Sequence, residues 1–364
     1  MSLDFSSVPV LNFQDALSSE TKPKFLSELR HALVDIGFFY LSDPSVTEDT
    51  RSQFVRKASG FFNLPSTVKS EVGIINCNNF KGTEFGMLQD QRAIGVSQRF
   101  FITALTVEQW PREDVLPNFR PCIESYLEQV QSVSEILTVL VAEALDLAPT
   151  VFNAFFTRPS LNSLRISAYP SPHGLDPTRT EFQGVGPHKD SSFLTYLLQG
   201  TEHTSLEVQT KSGAWIPVPP LANTLVINIG RMLESLTRGV CVATTHRVNL
   251  TREQFIRANH GGHLGKRISA AFFQRFSSNV TQMQLTLDIP EHVLALRKDG
   301  ESDAETFLQA IFETSYQSAV LFNAITTYPE VGRQWYPDEL AHALRKQAGD
   351  QVLGGAKLQI PASI

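Results

Sequence analysis

Apolar positions along the chain follow two rhythms, with a boundary near Ser163. Ahead of it, helical spacing dominates. Phe25, Leu26, Leu29 and Leu33 share one face of a segment from Lys22 to Asp35 and predict a helix ended by Gly37. A second helix is expected over residues 47–64, stopped by Pro65. A long one should run from Arg120 to Leu147, with Tyr126, Val130, Val133, Leu137 and Leu140 as its stripe and Pro149 just beyond. Val8–Phe13 and Phe38–Leu41 read as short strands. Residues 73–100, with Gly82, Gly86 and the asparagines 76, 78 and 79, show no period and predict loops, which at such length are often functional.

From Ser163 to Leu287 short apolar runs alternate with turn residues. They are Leu164–Tyr169, Phe193–Leu198, Leu206–Val208, Trp215–Val218, Thr224–Ile229, Ile268–Phe273 and Met283–Leu287, a spacing that suggests a β sandwich or barrel. A helix-like insert, Thr251–Ala258, interrupts it. A last helix is expected from Ala304 to Ala324, and the tail from Gly354 is expected to fray. Helices on both sides of a β core predict one mainly-β unit with flanking helices. Its parts are an N-terminal α/β region (1–110), a long helix and connection (111–162), the β core (163–290) and a C-terminal helical region (291–364).

Composition narrows the function classes. With 364 residues, 42% of them hydrophobic and 19% charged, the chain can bury a large core and is not disordered. A net charge of −6 without a basic cluster predicts no nucleic-acid partner. No apolar run reaches the roughly 18 residues of a membrane span, so no membrane partner is expected. The N-terminus carries Asp4 and no basic segment before an apolar run, which predicts no secretory signal and a cytoplasmic location. Cys77, Cys122 and Cys241 are odd in number and far apart, so they are expected as reduced thiols. The pattern specifies no oligomeric state.

The most informative tripeptide is His188-Lys189-Asp190. In a strand, residues two apart face the same side, so this His and Asp can reach one divalent metal. Further on stands His246, in Thr245-His246-Arg247. Two imidazoles and one carboxylate can bind one face of iron(II) and leave the opposite positions open. Nine histidines make chance His-x-Asp pairs common, so this spacing alone does not establish a metal site. Of the others, His173, His203, His260 and His263 lie in Gly-rich or polar segments and read as solvated, while His31, His292 and His342 have no evident partner. Arg267-Ile268-Ser269 opens an apolar strand after His246. Beside iron, an Arg that grips a carboxylate bidentately and a Ser hydroxyl on the same face would anchor the distal end of a dicarboxylate.

With these residues in place, the chain resembles the isopenicillin N synthase-like branch of the iron(II)/2-oxoglutarate-dependent dioxygenases. That family carries His-x-Asp, then a distant His, then Arg-x-Ser, here His188, Asp190, His246, Arg267 and Ser269. Val8–Phe13, Asp35–Leu41 and Phe61-Phe-Asn-Leu-Pro65 with Lys69 resemble its N-terminal region. Leu164-Arg-Ile-Ser-Ala-Tyr-Pro170 resembles the strand whose Tyr contacts the oxoacid, which implies that role for Tyr169. The texture is similar to fungal members acting in specialised metabolism. The chain departs from the pattern at Ser167 for Asn, Gly230-Arg231 for Gly-Asp, and Ser205 for the Gly of a Gly-Leu-Gln-Val turn. The gap between His246 and Arg267 is also longer than common.

The resemblance implies a double-stranded β-helix, or jelly roll, with iron at its mouth. It implies Fe(II) as cofactor and 2-oxoglutarate and O2 as co-substrates. The products would be succinate, CO2 and a small molecule oxidised at an unactivated C–H by hydroxylation, desaturation or cyclisation. The substrate pocket is expected to use the 73–101 segment, Phe273 and the C-terminal helix, with Arg99 a candidate partner for a substrate carboxylate. Three alternatives stay open on the residues: an isopenicillin N synthase-type oxidase that takes all electrons from its substrate, a zinc hydrolase, and a non-catalytic binding protein on the same fold.

Overall fold

The computed structural model describes residues 5–78, 82–86, 97–103, 109–158, 160–172, 178, 180–256, 262–281, 287–297 and 316–353. The strands described are, in chain order, β1 (Val10–Asn12), β2 (Phe38–Ser42), β3 (Gly82–Gly86), β4 (Ser97–Thr103), β5 (Ser163–Tyr169), β6 (Glu181–His188), β7 (Leu194–Gln199), β8 (Leu206–Gln209), β9 (Trp215–Pro217), β10 (Thr224–Ile229), β11 (His246–Thr251) and β12 (Arg267–Phe273). They form two sheets. The larger has the order β1-β2-β10-β7-β12-β5-β4-β3, and the smaller β6-β11-β8-β9. This is the expected jelly roll: two mostly antiparallel sheets face one another, with β1 and β2 the one parallel pair among the described residues.

Alternation along β5 and β12 explains how the site and the core share these strands. Leu164, Ile166, Ala168, Ile268, Ala270 and Phe272 point outward into the main core. Arg165, Ser167, Tyr169, Arg267, Ser269, Ala271 and Phe273 point inward and line a cavity between the sheets. The outward face is covered by helices, chiefly Phe119–Ala144, whose Tyr126, Val130, Val133, Leu137 and Leu140 are buried in that same core. Helix Glu48–Asn63 lies beside it, its first turn capped by the Thr47 hydroxyl, which accepts from the Thr50 N–H at 3.1 Å.

The long helices and the strands from Leu164, Leu206, Trp215 and Thr224 fall within a few residues of their expected places. Other expectations need correction. The expected helix Lys22–Asp35 is α-helical over Lys22–His31 and continues as a π-helical turn over Ala32–Ile36. The loops expected at 73–100 contain β3 and β4, which pair with each other, β4 also pairing with β5. Their glycines and glutamines hid the period. The helix-like insert at 251–258 is the end of β11 followed by one 3-10 turn, Glu253–Phe255. Of the last expected helix, Tyr316–Thr327 is described, while 304–315, the strand positions 283–286 and the tail from 354 lie outside the described residues. No helix among the described residues is long and apolar enough to cross a membrane. All three cysteines are free.

Candidate active site

Two strand ends bring three metal donors together. His188 ends β6, His246 begins β11, and the two are cross-strand partners with ring centroids 4.2 Å apart. Asp190 lies beyond the end of β6, so its meeting with His188 comes from the turn and not from alternation within a strand. That turn is seated on the larger sheet. The Gly230 N–H donates to the Phe193 carbonyl at 3.0 Å and the Arg231 N–H to the Asp190 carbonyl at 2.8 Å. Residue 230 has to be glycine, because a Cβ there would stand 1.8 Å from the Ser192 carbonyl oxygen. Lys189, between the two donors, lies 3.6 Å from the buried Glu234 carboxylate.

Each donor is oriented by a hydrogen bond. Asp190 Oδ2 accepts from Thr195 Oγ1 at 2.6 Å and from Asn228 Nδ2 at 2.9 Å. Thr195 and Asn228 are register partners on β7 and β10, so one cross-strand pair holds the carboxylate. His188 Nδ1 lies 2.8 Å from the Gly186 carbonyl and His246 Nδ1 3.1 Å from the Thr244 carbonyl. A carbonyl only accepts, so each Nδ1 donates and each Nε2 is the atom left to ligate a metal. Both Nε2 atoms face Asp190 Oδ1, at 3.4 and 3.7 Å. That oxygen is buried and has no hydrogen-bond partner among the described residues. Phe38 packs edge-on against His246 at 5.2 Å.

The donor set suits a divalent cation. Its three ligating atoms lie within 4.8 Å of one another and all three residues are buried. Burial works to raise the Asp190 carboxyl, but the positive charge His246 and His188 carry when protonated and the hydrogen bonds from His188 and Thr195 outweigh burial and hold it well below the usual carboxylate range. Burial pushes His246 down to about 4, helped by His188 and Arg165 and opposed by Asp190 and the Thr244 carbonyl. A carboxylate that stays ionised and an imidazole that stays neutral are the forms in which these groups ligate a metal.

Arg267 occupies a separate place along the cavity wall, at the start of β12. It is 2% exposed, its guanidinium lies 5.0 Å from the ring centroid of its register partner Tyr169, and Nη1 donates to Ser269 Oγ at 3.3 Å. Among the described residues it makes no ion pair. A buried guanidinium with a hydroxyl beside it and no acid nearby fits a carboxylate ligand. The apolar wall of the cavity includes Phe38, Val185, Leu197, Leu206 and Val248.

The structure thus brings His188, Asp190, His246, Arg267, Ser269, Tyr169 and Phe273 to one cavity. Arg99 lies on β4 opposite Ser167 in register, and its side chain is outside the described residues. Sequence reasoning missed Thr195 and Asn228. Their signal was a polar residue inside each of two apolar strand runs, which, once buried, demands a partner. It also missed Arg165, which lines the cavity. Among the histidines read as partnerless, His31 pairs with Asp35 at 2.8 Å and His292 lies 3.7 Å from Asp146.

His203, read as solvated, is 1% exposed and packs against Phe255 at 4.4 Å. Its Nδ1 lies 2.9 Å from Thr201 Oγ1. Burial pushes its pKa from 6.5 to about 4, the Arg267 charge adds to this, and a backbone hydrogen bond at Gly265 opposes it. Between those values the unfolded chain binds a proton that folded His203 refuses, so stability should fall as pH drops through the window from 6.5 to 4. His203→Gln is expected to flatten that slope, measured as urea unfolding free energy against pH. A slope identical to wild type would show that His203 protonates freely in the fold.

Comparison with known proteins agrees with this geometry. Residues 161–276 match the 2OG-Fe(II) oxygenase superfamily and residues 8–113 the N-terminal region described as non-haem dioxygenase in morphine synthesis. The chain is 38% identical to a 2-oxoglutarate-dependent dioxygenase of Gibberella zeae, covering 97% of each. It is 34% identical to the 2-oxoglutarate-dependent dioxygenase frbJ of a Dothideomycetidae species, over 96% of this chain and 97% of that one. Among solved structures it is similar to a full-length Neurospora crassa protein in complex with alpha-KG and thymine. The TM-score is 0.63 at 20% identity, over 83% of this chain and 95% of that one, a likeness of fold.

Proposed function

Because the chain belongs to the 2OG-Fe(II) oxygenase superfamily, we propose that His188, Asp190 and His246 hold its iron and that Arg267, Ser269 and Tyr169 hold its 2-oxoglutarate. The protein is a 2-oxoglutarate-dependent dioxygenase, an oxidoreductase that uses iron(II), 2-oxoglutarate and O2. The single observation that supports the ligand assignment is Asp190 Oδ1, a buried carboxylate oxygen without a hydrogen-bond partner among the described residues, set between the Nε2 atoms of two imidazoles.

When bound, iron(II) with 2-oxoglutarate and O2 supplies oxidative decarboxylation to succinate and CO2 and the power to oxidise a substrate C–H. The chain's own residues do the rest. Thr195 and Asn228 occupy one oxygen of Asp190 and so aim the other at the imidazoles. The Gly186 and Thr244 carbonyls fix both imidazole tautomers. Arg267 meets the distal carboxylate of the oxoacid, with Ser269 beside it and Tyr169 under its guanidinium. Phe38, Val185, Leu197, Leu206 and Val248 exclude water from the reacting centre. The substrate is a small molecule, a reading supported by thymine in the N. crassa structure. A cytoplasmic setting is supported by the three free thiols.

Anaerobic titration with iron(II) and then 2-oxoglutarate tests the assignment. The expected result is one iron per chain and a weak visible charge-transfer band that appears only when the oxoacid is added. Full oxidation of a substrate without any oxoacid would overturn the co-substrate reading in favour of a four-electron oxidase.

A further inference from the structure

Apart from Arg267 the cavity wall carries one more arginine, Arg165, and a further buried arginine, Arg275, stands beside the wall residue Phe273. The inward row of β12 runs Arg267, Ser269, Ala271, Phe273, and its ladder with the start of β7 continues past the strand: the Phe193 N–H donates to the Gln274 carbonyl and the Gln274 N–H to the Leu194 carbonyl. Arg275 follows at once. Its guanidinium lies 5.5 Å from the centroid of the Phe273 ring. Arg165, opposite Ala271 in register on β5, places its guanidinium 5.0 Å from the same centroid. Both arginines are buried, at 8% exposure for Arg165 and 4% for Arg275.

Arg275 is the anomalous member. Its Nε is buried without a hydrogen-bond partner, and among the described residues its guanidinium makes no ion pair. An aromatic ring beside a guanidinium offsets only a small part of the loss of water. Burial works against the Arg275 charge, and the Asp190 carboxylate offsets part of it, whereas burial raises the Tyr316 phenol and keeps it neutral. Asp190 is also the only acid among the described residues that line the cavity. Once the site is loaded, that compensation is spent. A divalent ion, the Asp190 carboxylate, the Arg267 guanidinium and a dicarboxylate co-substrate cancel in formal charge. Arg275 then stands uncompensated, with Arg165 at the same ring.

We propose that Arg165 on the cavity wall, with Arg275 beside it at the Phe273 ring, forms the substrate-recognition end of the cavity and that the substrate is a small carboxylic acid, bound as its carboxylate with its apolar body against Phe273. The proposal rests on the reading of this cavity as the iron and 2-oxoglutarate site. A planar carboxylate matches the guanidinium fork. The remaining wall of Phe38, Val185, Leu197 and Leu206 offers an apolar body few polar partners.

The test is calorimetric titration of the anaerobic iron(II)–2-oxoglutarate holoenzyme with benzoate, 3-phenylpropanoate and octanoate, each against its own primary amide. At least one acid is expected to bind about 30-fold or more tightly than its amide, the size of effect seen when one partner of a buried charge pair is removed. Arg275→Met and Arg165→Met should each erase that preference, and Arg275→Lys should keep part of it. The affinity for 2-oxoglutarate, titrated in the same variants, should stay within a few-fold of wild type. Equal binding of acids and amides by the wild type, or binding of neither, overturns the proposal without need of any variant. An acid preference that survives both Met substitutions also overturns it. Failure of the wild type to bind 2-oxoglutarate would strike the underlying reading as well, and is seen separately in the first titration.

Discussion

Asp190→Asn is expected to leave a folded protein that no longer retains iron. The substitution keeps the shape of the side chain but replaces the carboxylate with an uncharged amide, a poor ligand beside the two imidazoles. Changing residues that merely orient a metal ligand already costs about 10–100-fold in affinity or activity, so losing the charged ligand should cost more. Asp190→Ala adds a second effect. It strips Thr195 Oγ1 and Asn228 Nδ2 of their shared acceptor inside a buried strand pair, at about 1–3 kcal/mol for each group left unsatisfied. Iron stoichiometry after gel filtration, together with thermal unfolding, separates the two: the Asn variant should lose metal with a near wild-type melting temperature, and the Ala variant should lose both. An Asn variant that holds one iron per chain at wild-type affinity would remove Asp190 from the coordination sphere.

Arg267→Leu should leave iron binding intact and raise the 2-oxoglutarate requirement steeply. The guanidinium is buried at the start of β12, away from the three donors, so the variant keeps His188, Asp190 and His246 untouched. A distal carboxylate carried into this cavity would lose its water and find only Ser269 and Tyr169. Removing one partner of a buried charge pair costs roughly 3–5 kcal/mol, which is about two to four decades in affinity. Succinate formation against 2-oxoglutarate concentration gives the readout. An unchanged concentration dependence would take Arg267 out of the co-substrate site.

The donors were legible because they sit in short linear motifs: His188 and Asp190 with one residue between them, Arg267 and Ser269 likewise. What orients them was not, because it is assembled across the sheet. Thr195 and Asn228 meet at Asp190 only because β7 and β10 are neighbours in a given register, and nothing local in either strand states that pairing. The same holds for Arg165 and Arg275, far apart in sequence and gathered around one Phe273 ring by the β5–β12 ladder. β6 was invisible as a strand because Gly184, Gly186 and Pro187 break its apolar alternation. Those same residues free the end of β6, where the chain turns to deliver Asp190. His203 was misread for its polar neighbours Glu202 and Thr204, although the chain turns it inward under Phe255. Periodicity reports which face a residue takes within its own element. It does not report what another element brings to that face.

The position of β2 in the larger sheet bears on how the chain is synthesised. β2 lies between β1 and β10, with Ser42 paired to Thr224 and Phe38 to Asn228. During translation the apolar run Phe38-Phe-Tyr-Leu41 therefore leaves the ribosome long before the strand that closes its edge. At roughly 5–20 residues per second that edge waits on the order of ten seconds or more, and pairings between such distant segments are intrinsically slow to form. An open strand edge with apolar side chains invites association with other chains. The nascent protein thus carries its greatest aggregation hazard in its first strands, and its yield in a cell depends on how those residues are sheltered until Thr224–Ile229 arrives.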